Sequence, residues 1–150
     1  NTNGRGVRLS NAKVELFDVV LKGCQGTALV AISSTLSANR NTSETVVVAT
    51  RCEFAYSFRG AVVDGRLTSA TFNNCLFHSN RTTGIDAHES TIHLHGKASA
   101  IHSNGVGVFA QASGKVLVHL SSHHSTIYNN SSRDRSTVSG GTTRITNVED

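Results

Sequence analysis

The sequence predicts an all-β chain: a right-handed parallel β-helix, or solenoid, of about five coils with three short strands in each. Three observations lead there. The first is a repeat, since residues 60–132 divide into three lines that align: GAVVDGRLTSATFNNCLFHSNRTT from Gly60, GIDAHESTIHLHGKASAIHSNGV from Gly84 and GVFAQASGKVLVHLSSHHSTIYNNSS from Gly107. The leading glycines are 24 and 23 residues apart, and in each line an apolar residue is followed three positions later by asparagine: Phe77 and Asn80, Ile101 and Asn104, Ile127 and Asn130. The second is the period inside a line. Ile85 and Ala87, then Ile92 and Leu94, then Ser99 and Ile101 alternate with polar neighbours, which is the two-residue period of a strand, and no line carries the three-and-four spacing of a helix. The third is composition: 13 glycines, no proline, methionine or tryptophan, and a heavy load of Ser, Thr and Asn, which suits turns and the outside of a solenoid.

Taken in order, residues 1–13 are polar, carry Gly4 and Gly6, and read as a lead-in or part of a preceding coil. Val14, Leu16, Val19 and Leu21 match the second and third strands of a coil, with Leu21 in the place of Phe77, and Gly23 and Gly26 mark the corner. In residues 26–34 both Ala28, Val30, Ile32 and their neighbours are apolar, so alternation leaves the inward set open. Gly26 to Gly60 is 34 residues, about ten more than the other lines, which predicts a protruding insertion loop over residues 35–44; such insertions often carry binding, and Arg40 is its candidate. Val47, Ala49, Cys52 and Phe54 complete that coil, and the three aligned lines follow.

Stacking the lines predicts inward files of Leu21, Phe54, Phe77, Ile101 and Ile127, of Ala49, Phe72, Leu94 and Val118, and of Ala70, Ile92 and Val116. Asn80, Asn104 and Asn130 are expected at tight corners in the left-handed conformation, with their amides bonded along the stack. Cys52 and Cys75 would stack on neighbouring coils about 4.8 Å apart, as buried thiols. Residues 131–150 hold Val138, Gly140, Gly141, Ile145 and Val148 and read as a partial terminal coil or tail. Without methionine at its start the chain reads as one β-helix domain over residues 1–150, a segment of something longer or a processed product.

The formal charge of +4 permits anionic partners, and no basic run with interleaved aromatics points to nucleic acid. No run of 18 apolar residues predicts membrane insertion. No cofactor is expected.

The segment Cys75-Leu76-Phe77-His78-Ser79-Asn80, followed by Gly84-Ile85, resembles the C-x-F-x-x-N and G-G-A-I repeats of chlamydial polymorphic outer-membrane proteins and of the wider parallel β-helix, pectate-lyase-like class. That resemblance implies the β-helix fold and a place at a cell surface. Separately, Gly84-Ile85-Asp86-Ala87-His88-Glu89 is similar to the Y-G-F-D-P-H-E segment of bacterial alginate C5-epimerases. This second resemblance implies a catalytic Asp86 and His88, with Glu89 as the next matching acid. Thr83 stands where that family has tyrosine, Gln111 where its next coil has aspartate, and Ala87 where it has proline. The first two departures remove groups that its proton transfer uses.

The residues alone suggest two patches. If Ile85 and Ala87 face in, Asp86 and His88 face out, beside Val62 and Asp64 on one coil and Phe109 and Gln111 on the next. Asp64, Asp86 and His88 then form an acid and imidazole patch suited to proton transfer, or to two-carboxylate hydrolysis, which needs acids roughly 5–9.5 Å apart. Asp86, His88, Phe109 and Gln111 equally form a flat binding face. His93 and His95 face out from one strand with His119 over His95, a weak candidate for Zn²⁺ or Cu²⁺; His78 and His102 stack on the third face, with Tyr128 next. The expected function is a non-catalytic extracellular, cell-surface or virion-surface scaffold for adhesion, presenting its faces and loop to an acidic glycan or a protein. The alternatives are a polyuronate lyase, epimerase or glycoside hydrolase acting through Asp64, Asp86 and His88, and an assembly module of a filament or viral spike that joins through open β-helix ends.

Overall fold

The structure, a computed structural model, describes residues 4, 6–33, 43–119, 126–138 and 141–149. Among them the chain forms a right-handed parallel β-helix of five coils and two strands of a sixth. Coil one holds β1 (Val7–Ser10), β2 (Lys13–Phe17) and β3 (Val20–Lys22); coil two holds β4 (Thr27–Ile32), β5 (Thr45–Thr50) and β6 (Glu53–Ala55). Coil three holds β7 (Arg59–Asp64), β8 (Thr68–Asn73) and β9 (Leu76–His78), and coil four β10 (Thr83–His88), β11 (Thr91–His95) and β12 (Ala100–His102). Coil five holds β13 (Val106–Gln111), β14 (Lys115–His119) and β15 (Ile127–Tyr128), and β16 (Arg133–Thr137) and β17 (Arg144–Val148) follow. First strands stack as β1-β4-β7-β10-β13-β16, second strands as β2-β5-β8-β11-β14-β17 and third strands as β3-β6-β9-β12-β15.

Parallel neighbours need a long crossover, and here each crossover is the rest of a coil. The repeat in the sequence is therefore the pitch of the solenoid. Val7–Ser10 is the first strand of coil one and pairs with β4, so most of the polar lead-in belongs to a coil. Residues 131–150 contain β16 and β17. Residues 34–42, and with them Arg40 and most of the expected insertion loop, lie outside the described residues.

The inward files form as the alignment requires. Leu21, Phe54, Phe77, Ile101 and Ile127 are successive register partners. Leu16, Ala49, Phe72, Leu94 and Val118 form a second file, and Val14, Val47, Ala70, Ile92, Val116 and Ile145 a third. Phe54 stacks on Phe77 at 4.8 Å between ring centroids, and Phe72 meets both edge-on at 5.9 and 4.9 Å. Each fully buried aliphatic or Phe stabilises by roughly 1.5–3 kcal/mol before chain entropy is subtracted. In β4 the open question resolves by register: Leu29 pairs with Ala61 and Ala31 with Val63, so these two point in and Val30 and Ile32 lie on the outer row. Cys52 and Cys75 are buried free thiols. The Cys75 Sγ donates to the Ala49 carbonyl at 3.3 Å, and burial pushes its thiol up to about 12.

The asparagine file needs one correction. The left-handed residues after the third strands are Tyr56, Ser79, Ser103 and Asn129, each one place before the polar position, and Asn80, Asn104 and Asn130 are not among them. The preceding residue makes the corner, which turns the amide into the interior. There Asn130 Oδ1 accepts from Asn104 N–H and Nδ2, and Asn104 Oδ1 accepts from Asn80 N–H and Nδ2, all at 2.9–3.0 Å. Each Nδ2 also donates to a carbonyl one coil back, of Ile101, Phe77 and Phe54 in turn. One end of the file rests on Asp134, whose Oδ1 accepts from Asn130 N–H and Nδ2 at 3.0 and 2.8 Å. At the other end Asn80 Oδ1 accepts from Ser57 N–H, and Ser57 Oγ from Cys24 N–H.

The glycine mark keeps step with the asparagine mark for a steric reason. A Cβ on Gly84 would lie 2.7 Å from the Gly107 carbonyl and 2.9 Å from Asn104 Nδ2, and Gly60 and Gly107 are hemmed in by Asn80 and Asn130 in the same way. The missing side chain is the space that the amide occupies.

Asn104→Ala is expected to destabilise by several kcal/mol, because it strips Asn80 N–H and Nδ2 of a buried acceptor, and each orphaned group costs about 1–3 kcal/mol. Asn130→Ala, at the half-buried end of the file, is expected to cost less. Urea unfolding of the two variants checks the order, and equal midpoints would contradict a continuous buried file.

Candidate functional site

Three outer faces carry chemistry, one for each sheet. On the first-strand face, register sets Asp64, His88 and Gln111 in one row and Val62, Asp86 and Phe109 in the next. The structure brings Asp64 and His88 together: His88 Nδ1 is 2.7 Å from Asp64 Oδ1. Gln111 Nε2 donates to Asp86 Oδ1 at 3.4 Å, and an Arg59 Nη1 stands 4.0 Å from Asp86 Oδ2. Phe109 is half-buried on the same row. Although it points away from the core, Asp86 is only 4% exposed. Burial pushes its carboxyl above the usual carboxylate range, and Gln111, Arg59 and His88 offset part of that push.

On the second-strand face, His93 and His95 project from β11 and His119 from β14 in the next coil. His93 Nδ1 lies 2.9 Å from His119 Nε2, and the His95 and His119 rings stack with centroids 3.8 Å apart. One ligand nitrogen from each of the three lies within 4.8 Å of the others. Burial, and then the neighbouring His119, hold His93 below the usual imidazole range.

On the third-strand face, Glu53 on β6 bridges Lys22 on β3 and His78 on β9, each at 2.8 Å. Lys22 first and His78 second hold the Glu53 carboxyl below its usual range. His78 then stacks on His102 at 5.3 Å and His102 on Tyr128 at 5.2 Å, while Tyr56 meets His78 edge-on at 5.4 Å. Beside this row of rings lies a shallow cavity of about 340 Å³, whose lining includes Tyr56, Phe58 and Arg81. All three are exposed, Tyr56 at 62%.

Sequence reasoning missed Tyr56, Phe58 and Arg81. They sit at corner positions that face outward, where neighbouring lines carry different side chains, Ser79 and Ser103 standing in the place of Tyr56, and strand alternation says nothing of them. The available signal was rarity: Tyr56 and Phe58 are two of eight Phe and Tyr residues in the chain, and they flank the polar position at Ser57.

No family model, curated protein or solved structure matches the chain. A functional reading therefore starts from the fold, these three faces and the motifs of the sequence itself.

Asp86 has a folded pKa above its unfolded one, so its contribution is fully present below the unfolded value of about 3.9 and is lost as pH rises through the folded value. Asp86→Asn removes that loss and keeps an acceptor for Gln111. The variant is expected to have a higher urea midpoint than the parent chain at pH 7 and a flatter dependence on pH above about 4. A lower midpoint at pH 7 would show that Arg59 and His88 outweigh the burial.

Proposed function

We propose that this chain is a non-catalytic β-helix scaffold of the extracellular or cell- or virion-surface kind, which presents a fixed face to an acidic glycan. The observation that carries the reading is the corner cavity, with two exposed aromatic rings and an exposed guanidinium on a rigid wall. Aromatic faces stack on the apolar faces of sugar rings. The planar guanidinium of Arg81 takes a uronate carboxylate or a sulfate by paired hydrogen bonds. Arg59 lies over the Phe58 ring at 5.8 Å, which adds positive charge beside the cavity, and the excess of four positive charges favours an anionic polymer. The row of His78, His102 and Tyr128 extends the same face along the axis, so a polymer lying parallel to the solenoid meets rings coil after coil. The likeness of residues 75–85 to the repeats of chlamydial polymorphic outer-membrane proteins supports the surface setting.

Binding to polygalacturonate, alginate and heparin, measured by calorimetry, tests the reading. Tyr56→Ala and Arg81→Gln are each expected to weaken binding about tenfold, the size of one charge-assisted hydrogen bond or ring contact, with no shortening of the polymer. Undiminished binding in both variants would remove the cavity from the site.

A second reading rests on Asp86, a buried acid with a raised pKa one row from the Asp64–His88 pair. A carboxyl whose pKa is raised by burial, beside an imidazole, is a candidate pair for acid and base catalysis on a polyuronate. In that case the chain forms unsaturated or epimerised sugar units, and Asp86→Asn abolishes the activity with the fold intact. Activity that survives Asp86→Asn would eliminate this reading.

A further inference from the structure

We propose that His93, His95 and His119 form a binding site for one divalent transition-metal ion of the Zn²⁺ or Cu²⁺ type, joining coils four and five across the outer face of the second-strand sheet. The site is independent of the corner cavity, which lies on the third-strand side.

The argument starts from the strand period. His93 and His95, two apart on β11, project from the same face. Continuing the register of Leu94 with Val118 by one residue puts His119 directly beside His95. Three imidazoles thus come from two neighbouring backbones that hydrogen bonds already fix, and little ordering is left for a ligand to impose. Their three ligand atoms already lie within 4.8 Å of one another.

The contact between two of the rings points the same way. At 2.9 Å, His93 Nδ1 and His119 Nε2 share one proton, so one of the two nitrogens presents a lone pair. A neutral imidazole is the form that ligates metal. An ion would accept a lone pair from each ring, and the proton between His93 and His119 would move to the other nitrogen of the ring that carries it, so that each ring stays neutral.

The adjustment required is small. Nitrogen ligands about 2.0–2.1 Å from a tetrahedral ion lie about 3.3 Å from one another. The closest pair opens by a few tenths of an ångström and the widest closes by roughly 1.5 Å. The three rings now lie nearly parallel, at 11° to 26° to one another, and must fan out so that one ion lies in all three planes. Torsions about the ring bond are broad, and all three rings are half-buried on an open face, which leaves room for that rotation. Thr71 and Asn73 are the register partners of His93 and His95 on β8, so polar residues continue the row on the neighbouring coil. Three imidazoles leave the fourth position to water or to an oxygen of a ligand, and this donor set suits Zn²⁺ and Cu²⁺ over Mg²⁺ or Ca²⁺.

The test is titration of the metal-free chain with Zn²⁺ and Cu²⁺ against a competing chelator, with Co²⁺ absorption to report coordination. One ion per chain is expected, with the visible bands of a four- or five-coordinate Co²⁺ site. His93→Gln and His119→Gln each remove a direct ligand and are expected to weaken binding by more than the roughly 10–100-fold that follows loss of a group hydrogen-bonded to a ligand. His78→Gln and His102→Gln, on a different face, are expected to leave it unchanged. Thermal melts of the metal-free variants confirm that each is folded, since the changes are on an outer face. Binding of neither ion, or stoichiometric binding that survives His119→Gln, overturns the proposal.

Discussion

A residue in this chain is constrained first by what lies one coil above and one coil below it. Parallel strands about 4.8 Å apart leave no room for a file to change its chemistry abruptly, and each inward position must satisfy two neighbours of its own kind. Phe54 therefore lies flat on Phe77, amide bonds to amide from Asn80 to Asn130, and the glycines fall where those amides need space. Backbone bonding between coils is the same at every position, so it does not select a register. The side-chain files do, because a slip of one residue would put every inward residue on the outer face.

The files also explain where the stack is allowed to vary. Moving towards the N-terminus the polar position changes from Asn80 to Ser57 to Cys24, and the glycine facing it is replaced once, by Ala28 in coil two. A smaller polar residue leaves space for a methyl group. At the other end Asp134 accepts from both nitrogen groups of Asn130. A carboxylate only accepts, so it suits the end of a chain of donors that all point in one direction, where a further amide would present a donor with no acceptor.

This uniformity set what the sequence could reveal. Phe77, Ile101 and Ile127 align because they are one file, so strand order, register and the rows holding Asp64, His88, Asp86 and Gln111 could be read before any coordinates. Burial on the outer faces could not. Alternation places Asp86 outward and says nothing of what covers it, yet it is 4% exposed, and that burial is what pushes its carboxyl up. Nor could the corner conformation: one residue separates Ser79 from Asn80, and the left-handed turn belongs to the serine. Tyr56, Phe58 and Arg81 were hidden for a related reason, since the equivalents of Tyr56 on the next coils are Ser79 and Ser103, and no matching aromatic announces it.

A stack built this way has little freedom to close around a ligand. Each coil is bonded to both neighbours across three sheets, and displacing one strand breaks two rows of bonds at once. Recognition then depends on side chains already in position, and the geometry that the faces offer is periodic. Groups on one face recur at the coil spacing, which suits a polymer lying along the axis, while groups two apart on a strand converge with one from the next coil, which suits a single small ion. The ring row from Tyr56 to Tyr128 has the first geometry and the three imidazoles of β11 and β14 have the second. The Asp64–His88 pair spans one coil step and is already satisfied internally at 2.7 Å. A ligand there must first displace an existing bond, which makes it the weakest of the three as a binding face, and Asp86 beside it is buried with its carboxyl pushed above the usual range.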